Sequence, residues 1–173
     1  MLLNFPQVVP SDVCLACDGC CRFEHARSPW RPQIAREEQS FFVEKKGCMC
    51  PVNTADEDFP QPCYVSTKPW HAQVKCCYFQ AKTHRCDIYN ERPFDCQLYP
   101  FLLVKEGQQH KLGLHLSCPF VLEKRYQPSF EELIGRVKTY FQTKEMALFV
   151  QSNSQMFSAY EEHRPEIEVL DSI

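Results

Sequence analysis

The sequence lacks any long apolar run, and it has little glycine. No stretch of about 18 apolar residues occurs, so nothing in the chain predicts a helix that spans a membrane. Residues 1–12 have neither a basic segment nor an extended apolar one, and we expect no secretory signal peptide there. Five glycines against 13 prolines indicate stiff, irregular connections. These absences predict a cytoplasmic protein without a membrane partner.

A basic surplus is absent as well. The chain has 19 lysines and arginines against 22 aspartates and glutamates, which gives a formal net charge of -3. Non-specific binding to nucleic acid needs a basic face, so we expect no nucleic-acid partner. No G-x-G-x-x-G, P-loop or H-E-x-x-H motif occurs, and nucleotide-dependent or metalloprotease chemistry therefore has no support.

Cysteine, by contrast, is abundant, with 12 residues in a chain of 173. An even number is compatible with disulfides, but a chain that is not exported keeps its thiols in a reducing compartment. Clustered cysteines there usually bind metal or take part in redox chemistry. The cysteines end at Cys118. We therefore predict a cysteine-cluster metal-binding domain over 1–127, with a C-terminal helix and tail over 128–173 packed on it.

A β-hairpin is predicted over residues 101–117. The run FLLVK is followed by EGQQ and then by leucines that alternate with other residues, the period of a half-buried strand. In this register Lys105 faces His110, and the open end of the hairpin brings Cys96 and Cys118 together.

A second, shorter hairpin is predicted over residues 75–89. Its register places Phe79 opposite Cys86 and Cys77 opposite Ile88. The cysteines of this segment therefore lie on paired strands.

The cysteine-free end of the chain begins with a predicted helix. Pro128 precedes Ser129, and Glu132 follows three residues later, which is a capping-box pattern. Residues on one helical face are apolar: Leu133, Ile134, Val137, Tyr140 and Phe141. The acidic segment 161–173 is expected to be a loose tail. The fold class predicted from these elements is a small, irregular α+β domain, with short β-hairpins and helices around a cysteine-ligated metal centre.

The densest motif is C-L-A-C-D-G-C-C, residues 14–21. Cys14, Cys17 and Cys20 repeat at intervals of three, as the first cysteines of a bacterial ferredoxin run do. Such a loop can direct three sulfurs to three irons, with a fourth ligand from elsewhere. If Cys20 and Cys21 lie on an extended segment, their side chains point to opposite sides, which suits two neighbouring centres better than one ion.

A second motif, C-x-I-Y-x-x-R-P-x-x-C-x-x-Y-P-F, ends at Phe101, and a Cys-Pro pair follows at Cys118. Together with CxxCxxCC, it resembles the YkgJ-type cysteine-cluster family, a zinc- or iron-chelating domain. Relatives in that family include a flagellin lysine N-methylase associated with an iron–sulfur cluster. Carried over by position, the resemblance implies eight metal ligands: Cys14, Cys17, Cys20, Cys21, Cys77, Cys86, Cys96 and Cys118.

The surroundings of these cysteines complete the hypothesis. A partly buried metal–thiolate group is negative and needs nearby cations, and Arg22 and Arg92 lie within a few residues of the ligands. We expect these two arginines to bind the cofactor. Four further cysteines fall outside the family pattern and could be accessory ligands, resolving thiols or uninvolved residues: Cys48, Cys50, Cys63 and Cys76.

The resulting functional hypothesis is a metal-binding protein with one or two iron–sulfur clusters of the [4Fe–4S] type. Its role would be redox chemistry, electron transfer or metal handling with a redox or protein partner, and an iron–sulfur oxidoreductase activity is left open. The alternative is a zinc-stabilised interaction module without catalysis. A further alternative, implied by the family's relatives alone, is part of a protein-modifying enzyme like the lysine N-methylase.

Overall fold

The computed structural model describes residues 5–17, 19–46 and 63–173. It divides into two compact units, one that ends at Gln97 and one that begins at Leu98. Both contain helices and small antiparallel sheets, so the mixed α and β class predicted from the sequence is confirmed. No helix in the described ranges is long and apolar enough to cross a membrane.

The first unit consists of short elements joined by turns. Its helices are α1 (Ser11–Ala16), α2 (Arg36–Lys46) and α3 (Phe94–Leu98), with single 3₁₀ turns at Gly19–Cys21 and Tyr89–Glu91. Its strands are β1 (Arg22–Phe23), β2 (Gln33–Ile34), β3 (Cys63–Tyr64), β4 (Thr67–Trp70), β5 (Gln73–Cys76), β6 (Phe79–Gln80) and β7 (Arg85–Cys86).

Three small sheets and an aromatic core hold the first unit together. The strand order is β1-β5-β4 in the largest sheet, while β2 pairs with β3 and β6 with β7. The predicted register of Phe79 opposite Cys86 is confirmed. Buried side chains from these strands and α2 form one cluster, which includes Phe23, Phe42 and Phe79. Strands of two to four residues are marginal alone, so packing in this core stabilises the unit.

The second unit is built on a three-stranded antiparallel sheet. Its strands are β8 (Phe101–Glu106), β9 (Gln109–His115) and β10 (Ile167–Ser172), and its helices are α4 (Pro119–Lys124), α5 (Pro128–Phe141) and α6 (Lys144–Ser152). Two further 3₁₀ segments lie at Ser154–Met156 and Glu161–Glu166. In the β8–β9 hairpin Lys105 pairs with His110, as predicted.

Gly113 in β9 marks a close approach in this sheet. A Cβ atom at that position would lie 2.6 Å from a Val104 methyl carbon and 3.0 Å from an Ile167 methyl carbon. Because real Cβ atoms do not approach other atoms so closely, only glycine lets the neighbouring strands pack as they do.

Helix α5 matches its prediction in position but not in its cap. Pro128 is the first helical residue and Gln127 the N-cap, and no side chain caps the helix, so the predicted capping box at Ser129 is wrong. The apolar face is confirmed, since its buried residues are Phe130, Leu133, Ile134, Val137 and Phe141. Tyr140, also predicted for this face, is half-buried.

The prediction of a loose C-terminal tail is wrong. Residues Glu161–Glu166 form a 3₁₀ segment and Ile167–Ser172 form β10, which pairs with β9. Ile167 faces His115 in this ladder and is buried. The alternation of charged and apolar residues in E-I-E-V, followed by Leu170, is the pattern that predicts this strand. The acidic composition of the segment instead suggested an unpaired tail.

Candidate metal centre

Cysteine thiols of the first unit come from four separate segments. Cys14 lies in α1 and Cys17 caps its C-terminus, and the following 3₁₀ turn carries Cys20 and Cys21. The other segments are the end of β5 with the turn after it, β7 and α3, which carry Cys76, Cys77, Cys86 and Cys96. Short elements separated by tight turns therefore gather residues that are up to about half the chain apart in sequence.

Cys14 lies beside a cation. The Arg92 Nη1 atom is 3.4 Å from Cys14 Sγ, and Arg92 Nη2 donates to Gln7 Oε1 at 2.9 Å. The Arg92 guanidinium also stacks over the Tyr89 ring at 4.0 Å from its centroid. Burial raises the pKa of the Cys14 thiol, as does Cys20, whereas Arg92 and a hydrogen bond with Tyr89 lower it.

Cys20, Cys86 and Cys96 are neighbours in the same unit. Burial raises the pKa of Cys96, and the charges of Asp95, Cys20 and Cys86 raise it further. Burial also raises the pKa of Cys86, which Cys20 raises too and Arg92 lowers. Burial and mutual repulsion make each of these thiols harder to ionise. A bound metal cation would offset that repulsion, so the thiols would ionise readily around it.

Cys21 directly precedes β1, and Cys76 ends β5, the strand that pairs with β1. A hydrogen bond with Cys20 is the main cause that raises the pKa of Cys21, followed by burial. The expectation that Cys20 and Cys21 point apart is wrong, because they lie in a 3₁₀ turn and their thiols are hydrogen-bonded. Cys77 differs from the other thiols, because hydrogen bonding with Cys76 lowers its pKa to about 7.

Two carboxylates fasten the helix that carries Cys96. Glu38 accepts a hydrogen bond from the Phe94 backbone N–H at 2.9 Å and another from the Ala35 N–H at 3.2 Å. Asp95 accepts from the Gln33 N–H at 2.8 Å. Burial raises the pKa of Glu38 to about 7 and that of Asp95 to about 6. The segment β2–α2 is thus tied to both N-terminal residues of α3.

The other predicted residues within the described ranges are Cys118, Arg22 and Cys63. Cys118 is the N-cap of α4 in the second unit, and the predicted approach of Cys96 to Cys118 stays a prediction. Arg22 lies over the Trp70 ring, with its guanidinium carbon 5.3 Å from the centroid. Cys63 is disulfide-bonded and so is not available as an accessory thiol ligand. Cys48 and Cys50 lie outside the described residues.

The proximity of these thiols does not by itself define a metal-binding geometry. Within residues 5–17, 19–46 and 63–173, no group of three or more Cys, His, Asp or Glu side chains is already arranged to hold a metal ion.

Comparison of the sequence with protein families gives a match over more than half of the chain. Residues 13–125 match the family model described as "CxxCxxCC: Putative zinc- or iron-chelating domain". The chain belongs to this family. No curated protein and no solved structure matches the chain.

The chemistry of the family's cysteines in this chain fits a thiolate-bound metal. Soft sulfur ligands favour zinc, copper(I) and iron–sulfur clusters over hard cations such as magnesium. Arg92 supplies a further observation, since its Nε atom is buried and has no hydrogen-bond partner among the described residues. The same guanidinium lies beside Cys14. A negative metal–thiolate group at this position would provide the missing acceptor.

Sequence reasoning missed the polar support of the site. Glu38 and Phe94 are 56 positions apart in the sequence, and no local pattern predicts the hydrogen bond between them. The only signal was its place as the third residue of a helix, where a glutamate can bond back to the N-cap N–H. Gln7 gave no signal, whereas Tyr89 belongs to the second cysteine motif.

Proposed function

We propose that this member of the family is an iron–sulfur protein, with a cluster of the [4Fe–4S] type, that acts in redox chemistry, electron transfer or metal handling. The observation that carries the proposal is the set of neighbouring thiols from separate segments beside the half-buried Arg92 guanidinium, whose Nε atom is buried. The spacing of Cys14, Cys17 and Cys20 favours iron–sulfur over zinc, because bacterial ferredoxins space their first three ligands in the same way.

The chain's own residues have distinct parts in this proposal. The cysteines that the family pattern marks hold the metal as thiolates, and Cys118 of the second unit is included on that pattern alone. Arg92 donates to the sulfur of Cys14 and balances its charge. Arg22, next to Cys21 in the chain, adds a second positive charge. A bound cluster supplies reversible one-electron chemistry.

The test is to purify the protein without oxygen and to measure its visible spectrum together with iron, sulfide and zinc per polypeptide. We expect a brown protein with iron and sulfide in similar amounts, whose colour bleaches on chemical reduction. The ratio of iron to polypeptide counts the centres. A colourless protein that contains zinc and no sulfide would contradict the cluster.

Zinc is the second candidate, and the family description itself supports it, because it names zinc beside iron. A structural zinc ion bound by thiolates would stabilise the fold without redox chemistry. In that case the protein would unfold at a lower denaturant concentration after chelation, and reduction would change nothing in its spectrum. A protein that holds neither metal with its thiols intact would refute both candidates.

A further inference from the structure

Cys76 has no role in the family pattern, which marks its neighbour Cys77. It is the last residue of β5 and is buried in the hydrophobic cluster of the first unit, with 8% of its surface exposed. A buried cysteine in a core is most often a small packing residue. Its position relative to the other thiols argues for more than packing.

The strand register brings Cys76 to Cys21. In the antiparallel pair β1–β5, Arg22 faces Lys75. Cys21 directly precedes β1 in its 3₁₀ turn, and Cys76 directly follows Lys75 at the end of β5, so both cysteines adjoin the last paired position of this ladder. Cys21 also packs against the hydrophobic cluster that contains Cys76, and the charge of Cys76 acts on Cys21, so the two thiols are close enough to share a metal group.

Cys96 is the third member of this group. Its charge acts on both Cys21 and Cys76, which shows that the three thiols are close together. Cys21 and Cys96 already belong to the ligand set implied by the family pattern. Cys76 is therefore an additional sulfur donor between two members of that set.

Charge provides an independent observation. Lys75 is buried, and within the described part of the chain its ammonium contacts two aromatic faces, those of Trp70 and Phe79 at 5.8 Å each, but no carboxylate. A buried cation needs compensating negative charge. Neighbouring residues of a strand point to opposite faces, but the Lys75 ammonium reaches the ring of Phe79, which belongs to the same cluster as Cys76. A metal–thiolate group at Cys76 would therefore bring negative charge near this ammonium, whereas a neutral packing thiol would not.

We infer that Cys76 is a metal-ligating residue of this chain and shares a metal group with Cys21 and Cys96. The inference rests on the proposed function, since it needs a metal to be bound. It names a ligand that the family pattern omits.

Cys63 offers a matched control. Both cysteines are buried in the same hydrophobic cluster, but Cys63 is disulfide-bonded and not part of the thiol group. We would prepare Cys76→Ser, Cys76→Ala, Cys63→Ser and Cys21→Ser without oxygen and measure bound metal per polypeptide, the visible spectrum and the near-ultraviolet circular dichroism. Both Cys76 variants should lose metal as Cys21→Ser does, with affinity at least about tenfold lower, whereas Cys63→Ser should keep the wild-type metal content.

The outcomes distinguish failure of the Cys76 inference from failure of the proposed function. Wild-type metal content in both Cys76 variants, with loss in Cys21→Ser, would overturn the inference and leave Cys76 as a packing residue. A wild-type protein without metal would refute the proposed function instead.

If the Cys76 variants do not fold, brief alkylation of the wild-type protein tests instead whether Cys76 binds the metal. Mass spectrometry of the peptides would compare Cys76 labelling before and after mild chelation, under conditions in which circular dichroism shows the protein still folded. A ligand becomes labelled when the metal leaves, to the same extent as Cys21. Labelling of Cys76 that does not change while that of Cys21 rises would overturn the inference.

Discussion

Replacing Glu38 with glutamine should remove a loss of stability that the wild-type protein shows as the pH rises from about 4.5 to about 7. The Glu38 side chain is completely buried. Burial raises its pKa from 4.5 to about 7, and the hydrogen bonds from the Phe94 and Ala35 N–H groups lower it only in part. Asp95 and Glu37, the acidic groups that act on it, raise it further.

The sign of the effect follows from proton binding. Above pH 4.5 the unfolded chain releases the Glu38 proton, whereas the folded protein keeps it until about pH 7. The folded state binds more protons in this window, so the free energy of unfolding falls as the pH rises. The difference between 4.5 and about 7 corresponds to about 3 kcal/mol, at about 1.4 kcal/mol for each pKa unit.

Glutamine changes the hydrogen bonds as well as the charge. Its amide oxygen can accept from one backbone N–H, but its NH₂ group then faces the other donor, which costs about 1–3 kcal/mol. Glu38→Gln should therefore be less stable than wild type near pH 4.5 and equal to it or more stable above pH 7. The two stability curves converge as the pH rises.

Urea unfolding followed by far-ultraviolet circular dichroism, at a series of pH values, measures both curves. Metal content must be the same in both proteins at each pH, because thiolate binding of metal depends on pH. Glu44→Gln is the matched control, since Glu44 is exposed on the same helix and is not among the groups that act on Glu38, so its replacement should leave the curve unchanged. Parallel wild-type and Glu38→Gln curves over this range would refute the reasoning.

Two further substitutions test the metal centre and the sheet of the second unit. Arg92→Met should weaken metal binding about tenfold, since it removes the charged donor beside Cys14, whereas Arg85→Met, at an exposed site, should not. Equal metal affinity in the two variants would argue against a role for Arg92. Gly113→Ala should lower the free energy of unfolding by about 1–3 kcal/mol, because the added Cβ atom overpacks the sheet. Gly135→Ala in α5 is the control: its added Cβ atom would meet no neighbouring side chain within 4 Å, so it should raise the free energy of unfolding by about 1 kcal/mol. Denaturant midpoints measure both, and a tolerated alanine at position 113 would contradict the close approach.

Much of the fold followed from local patterns in the sequence. The Phe79–Cys86 and Lys105–His110 pairs were predicted because strand alternation and a short loop leave few registers open. The apolar face of α5 was predicted for the same kind of reason, since helical periodicity is a local property. Patterns of this type determine which residues face inwards within one element.

What the sequence did not predict depends on contacts between distant segments or on local geometry. The 3₁₀ turn that brings the thiols of Cys20 and Cys21 together replaces the extended backbone that was assumed. β10 was missed because its partner, β9, ends more than 50 residues earlier, at His115. The proximity of Cys76 to Cys21 depends on the β1–β5 register, and strands of two and four residues carry too little alternation to predict it.

The carboxylates around Cys96 indicate how the protein itself positions one of the proposed ligands. Helix α3 has five residues and is too short to persist on its own. The N–H of its first residue, Phe94, has no partner inside the helix and donates to the Glu38 carboxylate instead. The Asp95 carboxylate accepts a hydrogen bond from the Gln33 N–H and so joins the same helix to β2. Cys96 is thus held by hydrogen bonds that need no metal. Its thiol lies near Cys20, Cys21, Cys76 and Cys86, so in the proposed metal site Cys96 would be the ligand whose position is set before the metal binds.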